Sequence, residues 1–505
     1  MSIIRRNIIA NFAGQGWMAL MSFLFVPVYL KFIGAEGYGL VGFFVLLSTT
    51  LSLLDCGLGL TATRQAASFI EADAKGKKNI TTLLRTIEAL FWAVAGLSGI
   101  GVALAAPLIA SHWLKVEPRR IPEVTTGLRL MALALVAQFP IAFYSGSLVG
   151  LQEQLKLNVI NSVAATLRGI GAVLVLWLVA PTVLAFLMWQ CVVSTVTVLW
   201  LALSLRRIIG GGQQGAWFSL ASLRVVGTFT AGVGGINVLG YLLTQIDKII
   251  LSKVLPIKAF GYYTLAWTLG TFAYRFIGPI FNAYYPRITQ LVTQGEQIQL
   301  IDLHQKTELL DVYLKATRVM AIAIVPFSVW LAFFSRELLA LWTHDQTIAQ
   351  ESAGALALIA LGTMCNGFMH IPYGLQLASG KTSLALWQNA IAVFLIVPLT
   401  YYCATRYGLT GAAFPWLLFN VGYVVISAQL MYSMMMKGAK WSWYRSSVVY
   451  PFVQATLLSG LSYYIATHFT GVVVMLVMLC GLLASVAIPV LRSGLVKVPN
   501  YFRNP

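Results

Sequence analysis

The stretch ALFWAVAGLSGIGVALAAPLIA, residues 89–110, runs for 22 residues without one Asp, Glu, Lys or Arg. Wound as an α-helix at about 1.5 Å per residue it is about 33 Å long, enough to cross the roughly 30 Å hydrocarbon core of a bilayer. Comparable runs recur along the 505-residue chain, near 8–30, 39–62, 83–110, 124–149, 158–179, 182–205, 225–250, 259–285, 314–334, 353–377, 384–404, 411–435, 447–467 and 471–491. Fourteen of them predict an all-α polytopic membrane protein, because inside lipid an open chain satisfies its backbone polar groups only as helix. Composition agrees: 59% of residues are hydrophobic and only 10% charged, where soluble domains carry roughly 25% charged residues.

The net charge of +18 does not point to nucleic acid, since the basic residues form neither a one-sided patch nor a frame around stacking aromatics. They mark topology instead. With the N-terminus inside, 22 of the 34 Lys and Arg residues fall on cytoplasmic segments and only eight on outside loops, so both termini are expected in the cytoplasm. The run after Arg5 and Arg6 is longer than the roughly 7–15 apolar residues of a cleaved signal and reads as a retained first span. The stretch 286–313, of mixed charge, suits an amphipathic linker on the membrane surface. Cys56, Cys191, Cys365, Cys403 and Cys480 all lie in apolar runs and read as packing residues; no histidine has zinc-site spacing, so no metal or cofactor is expected. Residues 374–382, GLQLASGKT, put five residues between the glycines where a phosphate loop needs four, and no strand precedes them.

The chain echoes itself. Phe32-Ile-Gly-Ala-Glu-Gly-Tyr-Gly-Leu-Val41 and Val254-Leu-Pro-Ile-Lys-Ala-Phe-Gly-Tyr-Tyr263 each set an aromatic–glycine pair before an apolar run, 222 residues apart. Gly150 to Lys156 with Asn161 downstream echoes Ala378 to Ser383 with Asn389 downstream, at a spacing of 228. An even number of spans per repeat keeps both copies in one orientation, as in transporters built from parallel repeats. The expected division is a six-helix lobe over 1–222, a second over 223–437, and two further helices with a cytoplasmic tail over 438–505.

Three stretches carry a family resemblance. They are Gly34-Ala-Glu-Gly-Tyr-Gly39, Leu54-Asp55-Cys-Gly57-Leu-Gly59 ending at Arg64, and Gln245-Ile-Asp247-Lys248-Ile-Ile-Leu251 followed by Gly261-Tyr-Tyr-Thr-Leu-Ala266. In them the chain resembles the multidrug/oligosaccharidyl-lipid/polysaccharide exporter superfamily, and within it the polysaccharide-synthesis branch with the Wzx-type O-antigen flippases. The resemblance covers residues 1 to about 436. It implies a V-shaped, MATE-like pair of six-helix lobes in the bacterial inner membrane that opens alternately to each side. The implied cargo is an oligosaccharide on undecaprenyl pyrophosphate, moved to the periplasmic leaflet by an ion-coupled, non-enzymatic mechanism, with a polysaccharide polymerase and chain-length proteins as partners. The rival readings are a drug/cation antiporter, a membrane-embedded polymerase or glycosyltransferase, and a structural scaffold.

A charge within the hydrocarbon costs roughly 2.5–3.5 kcal/mol on permissive insertion scales, so it needs a wet cavity or a partner. Arg168 lies deep in the fifth run and Arg275 midway along the eighth; a guanidinium fork matches a pyrophosphate bidentately. Both are candidate anion ligands, and the alternative is an ion pair with Asp55, Glu88 or Asp247. Arg129, nearer its helix start, joins them or snorkels to the interface. Asp55, Glu88 and Asp247 are the candidates for ion coupling, against pairing of the first two with Arg64 or Arg85. Asn7, Asn11 and Gln15 recur every four residues on one helix side, and Asn237 follows Gln15 by 222. That side either lines a sugar cavity or forms an interhelix seam. Gly232, Gly234, Gly235 and Pro279 would permit helix bending.

Overall fold

A computed structural model gives the fold and describes residues 3–210, 218–219, 240–297, 303–380, 382–436, 438–469 and 472–492. Among them the backbone is helical between turns, with no strand beyond one isolated parallel bridge from Lys115 to Pro256. Nine helical stretches among the described residues are long and apolar enough to cross a membrane, and the chain is an integral membrane protein. It divides into two compact units, Met1–Gly261 and Tyr262–Pro505.

In the first unit, α1 (Ile3–Leu24) packs on α7 (Gln154–Thr166), and α3 (Leu58–Phe69) packs on α6 (Ile141–Gly150). The helix α5 (Ile121–Gln138) lies against α4 (Ala74–Leu108) and α9 (Val183–Ile209). Phe91, Phe143, Tyr144, Leu148 and Leu201 are buried between these helices. The outer face of α4 is apolar and open, with Leu97 72% and Leu104 75% exposed, as a lipid-facing surface should be.

The first expected span does not run unbroken to residue 30, because α1 gives way to α2 (Val26–Ser52) at Phe25. Inside α2 the chain turns at Gly34, whose φ of 68° lies in the left-handed region; a side chain there costs about 1–2 kcal/mol. That turn packs on its own echo. A Cβ on Gly39 would overlap the carbonyl oxygen of Ile257, and one on Gly261 would overlap that of Ala35. The α10 helix (240–254) is held to the same unit: the Tyr241 hydroxyl bonds that of Thr50, and Trp113 Nε1 donates to Ser252 Oγ at 3.0 Å. These contacts tie residues 240–261 to the first unit.

The helix α11 (Ile257–Gly270) leads into the second unit. After a turn at 271–273 come α12 (Tyr274–Gln297), α13 (Leu303–Phe333), α14 (Ser335–Thr343), α15 (Gln346–Phe368) and α16 (His370–Ala378). The expected spans at 384–404 and 411–435 share one long helix, α17 (Thr382–Gly422), broken in its φ and ψ at Gly408. A π-turn, Tyr423–Ser427, joins it to α18 (Ala428–Met435). The expected surface linker at 286–313 is largely an extension of two spans: α12 runs to Gln297, α13 starts at Leu303, and Arg287 pairs with Glu308.

The short α19 (Lys440–Trp443), α20 (Tyr450–Ala466) and α21 (Val472–Arg492) complete the unit. They are integral to it: Tyr313 and Tyr432 share a hydroxyl contact of 2.7 Å beside buried Trp443, and Trp330 Nε1 donates to Met478 O at 2.9 Å. Gly374 of the false phosphate loop sits inside α16 against Phe281 and Tyr285.

Candidate functional site

Arg168 stands in a five-residue π-turn, Leu167–Gly171, between α7 and α8 (Ala172–Leu178). A π-turn spaces backbone bonds five apart and leaves carbonyls open to side chains. The hydroxyl of Tyr29 donates to Arg168 O at 3.1 Å, and Trp189 Nε1 donates to Leu167 O at 2.8 Å. Two helices thus clamp the turn that carries the guanidinium. Its Nη2 donates to Ser194 Oγ at 3.3 Å, while Nε is buried with no hydrogen-bond partner among the described residues. No carboxylate among the described residues lies within 4.0 Å of it. A guanidinium has five donor hydrogens, so Arg168 keeps unused capacity for an anion.

The other cations differ from it. Arg129 is exposed on α5 and Arg275 is exposed at the start of α12, just after the turn that interrupts the eighth expected span. Neither has a side-chain partner among the described residues. Arg168 and Arg129 belong to the first unit and Arg275 to the second.

Each acidic candidate is engaged locally. Asp55 ends a helical turn, the chain reverses through Cys56 (φ 45°) and Gly57 (φ 88°), and Asp55 Oδ1 then accepts the Gly59 N–H at 2.8 Å. The bond ties Asp55 to the first turn of α3, whose N-cap residue is Gly57. Glu88 accepts the hydroxyl of buried Tyr144 at 2.5 Å and an Arg206 N–H at 3.5 Å, and Trp92 Nε1 donates to the same hydroxyl at 3.2 Å. Its cation is Arg206, which the sequence reading did not select. Asp247 and Lys248 are both buried, Oδ1 and Nζ 3.5 Å apart, and Lys248 also donates to Thr244 O at 2.9 Å.

Asn11 lies in the α1–α7 seam, donating to Gln154 Oε1 at 2.9 Å and accepting from Asn158 Nδ2 at 2.6 Å. Gln15 is exposed one turn on. The side chain of Asn7, together with Asn237, Gly232, Gly234 and Gly235, lies outside the described residues; Pro279 is within α12.

Several polar groups escaped the reading of single residues. Gln190, Ser194 and Thr197 form a buried polar stripe on α9, visible in the sequence as spacings of four and three within an apolar run. In the second unit, Tyr274 donates to Asn366 Oδ1 at 3.0 Å, Asn366 Nδ2 to Asn420 Oδ1 at 2.8 Å, and His370 Nδ1 lies 3.1 Å from Asn366 O. Among the described residues no cluster of His, Cys, Asp and Glu could hold a metal.

The family model described as polysaccharide biosynthesis protein matches residues 4–292. The chain belongs to that family. It is thereby placed in the polysaccharide-synthesis branch of the exporter superfamily. A Shigella flexneri protein carrying the provisional name of O-antigen transporter is 20% identical over 421 residues, 82% of this chain and 94% of that one. The fold is that of two solved structures. One, titled lipid II flippase MurJ in an inward closed conformation, has a TM-score of 0.66 and 13% identity over 97% of this chain and 100% of that chain. The other, an inward-facing multidrug resistance MATE family transporter, has a TM-score of 0.67 and 14% identity over 83% of this chain and 96% of that chain. The family and these relatives are transporters, not enzymes.

Proposed function

We propose that the chain is a flippase for lipid-linked oligosaccharide, carrying an undecaprenyl-pyrophosphate-linked repeat unit of a surface polysaccharide from the cytoplasmic to the periplasmic leaflet by alternating access. The observation that carries this reading is Arg168, a membrane-depth guanidinium with a buried Nε that finds no partner among the described residues. Permanent positive charge at that depth favours anionic cargo over the cationic drugs of an antiporter. A pyrophosphate offers two acceptor groups at the spacing a guanidinium fork prefers. Arg275 and Arg129, exposed and without carboxylate partners among the described residues, are proposed as further pyrophosphate ligands. Asn11 and Gln15, beside the α1–α7 seam, and Asn237 are proposed sugar contacts.

The family assignment supports the reading, as does the curated relative named for O-antigen transport. The flippase structure covers 97% of the chain, against 83% for the drug transporter. Fourteen crossings in two six-helix lobes with two appended helices, both termini cytoplasmic in a bacterial inner membrane, complete the proposal. Asp55, Glu88 and Asp247 are the proposed ion-coupling carboxylates, each already held by a local partner: the Gly59 N–H, the Tyr144 hydroxyl with Arg206, and Lys248.

Deleting the gene and analysing lipid-linked intermediates tests this directly. Repeat units should accumulate on the cytoplasmic face. Units that reach the far side but fail to lengthen would instead identify a polymerase, and unchanged intermediates would point to drug export.

A further inference from the structure

In the second unit, α13, α19, the Tyr444–Val449 turn, the start of α20, and α21 border an open pocket of about 600 Å³, within the range of small-molecule sites. Arg318 and Arg445 line it together with Ser442, Ser446, Trp441 and Tyr450. Neither arginine has a carboxylate within 4.0 Å among the described residues. Two uncompensated guanidiniums therefore face one cavity. Lys440 stands nearby, its Nζ 4.7 Å from the Trp441 ring, and adds a third positive charge.

The walls are fixed. Ser447 Oγ donates to Thr317 Oγ1 at 3.0 Å, a buried bond between the residues next to Ser446 and Arg318.

We propose that this pocket binds the phosphate headgroup of an anionic membrane phospholipid. The guanidiniums would hold the phosphodiester and the Ser442 and Ser446 hydroxyls its remaining oxygens. Three features favour a lipid over a free anion. Trp441 and Tyr450 are residue types of the membrane interface. The bordering helices expose Leu457 and Leu483, a surface for acyl chains. Arg318, Lys440 and Arg445 also belong to the segments expected in the cytoplasm, where clustered basic residues meet anionic lipid. The site lies within the second unit, apart from Arg168, and does not depend on what cargo the protein moves.

Native mass spectrometry of the purified full chain, titrated with phosphatidylglycerol, phosphatidylethanolamine or inorganic phosphate, tests the proposal. Wild type should retain phosphatidylglycerol in preference to phosphatidylethanolamine, and Arg318→Gln with Arg445→Gln should weaken that binding by about tenfold or more. A double variant with equal loss of charge elsewhere, Arg336→Gln with Arg406→Gln, should bind as wild type does. Ser442→Phe fills the cavity without removing charge and should also abolish retention, which decides the matter if the arginine variant does not fold. Undiminished lipid binding in the arginine and phenylalanine variants, equal loss in the charge-matched control, or competition by inorganic phosphate at the lipid's own concentration would overturn it.

Discussion

At the scale of single residues, the polar groups inside this apolar chain separate into those that are fully engaged and those with capacity to spare. Glu88 belongs to the first kind. Its bond from the Tyr144 hydroxyl joins a carboxylate to a buried phenol, and hydrogen bonds to charged groups contribute about 1.5–3 kcal/mol. Its other partner, Arg206, is 64% exposed at 3.5 Å, a geometry that contributes about 0–1 kcal/mol. Tyr144→Phe should therefore lower the unfolding midpoint clearly and Arg206→Gln hardly at all, measured by thermal unfolding in detergent. Asn11 offers a second contrast. Asn11→Ala removes bonds to Gln154 and Asn158 and should cost about 0.5–1.5 kcal/mol, while Gln15→Ala, which removes no such bond among the described residues, should leave stability unchanged and act, if at all, on transport. That Asn11 and Gln15 lie on one helix side was legible from the four-residue spacing; that Asn11 forms a seam while Gln15 is exposed was not. Which partner each would choose was not, because Asn158 lies 147 residues away.

At the scale of elements, glycines at close approaches dictate where helices meet. Gly39 and Gly261 have no room for a Cβ against the opposing carbonyls, whereas nothing lies within 4 Å of one built on Gly278. Gly39→Ala and Gly261→Ala should each deplete folded protein in the membrane, since relieving a backbone overlap means shifting a packed helix. Gly278→Ala should be neutral or stabilising by about 0.5–1 kcal/mol, as expected for alanine in a helix. Quantitative blotting of membranes from the three variants checks the order. The echo of residues 32–41 in 254–263 was visible as a repeat of aromatic and glycine; that the two copies pack on each other was not, because a repeat states likeness and says nothing of contact. In the same way, hydropathy places apolar runs well but cannot see the backbone break at Gly34 or the π-turn around Arg168, neither of which changes the polarity of the chain. The Asp55–Gly59 stretch was legible as a special site; that Asp55 accepts the Gly59 N–H in the first turn of α3 was not.

At the scale of the whole molecule, charge is sparse in the most apolar windows of the membrane-crossing helices, and the proposed function rests on one exception. Arg168 remains when structural duties have been assigned: held by α2 and α9 through Tyr29, Ser194 and Trp189, and free of any carboxylate among the described residues. A lysine at this position keeps the charge but loses the planar fork, so Arg168→Lys should transport at a rate between wild type and Arg168→Ala. The decisive measurement is transbilayer movement of an undecaprenyl-pyrophosphate-linked oligosaccharide in vesicles reconstituted with the purified chain. Wild type should move the lipid, and Arg168→Ala, inserted at equal density, should be slower by about tenfold or more, the loss of one charge-assisted contact. Equal rates for the two proteins, or no movement by wild type, would contradict a pyrophosphate-reading flippase.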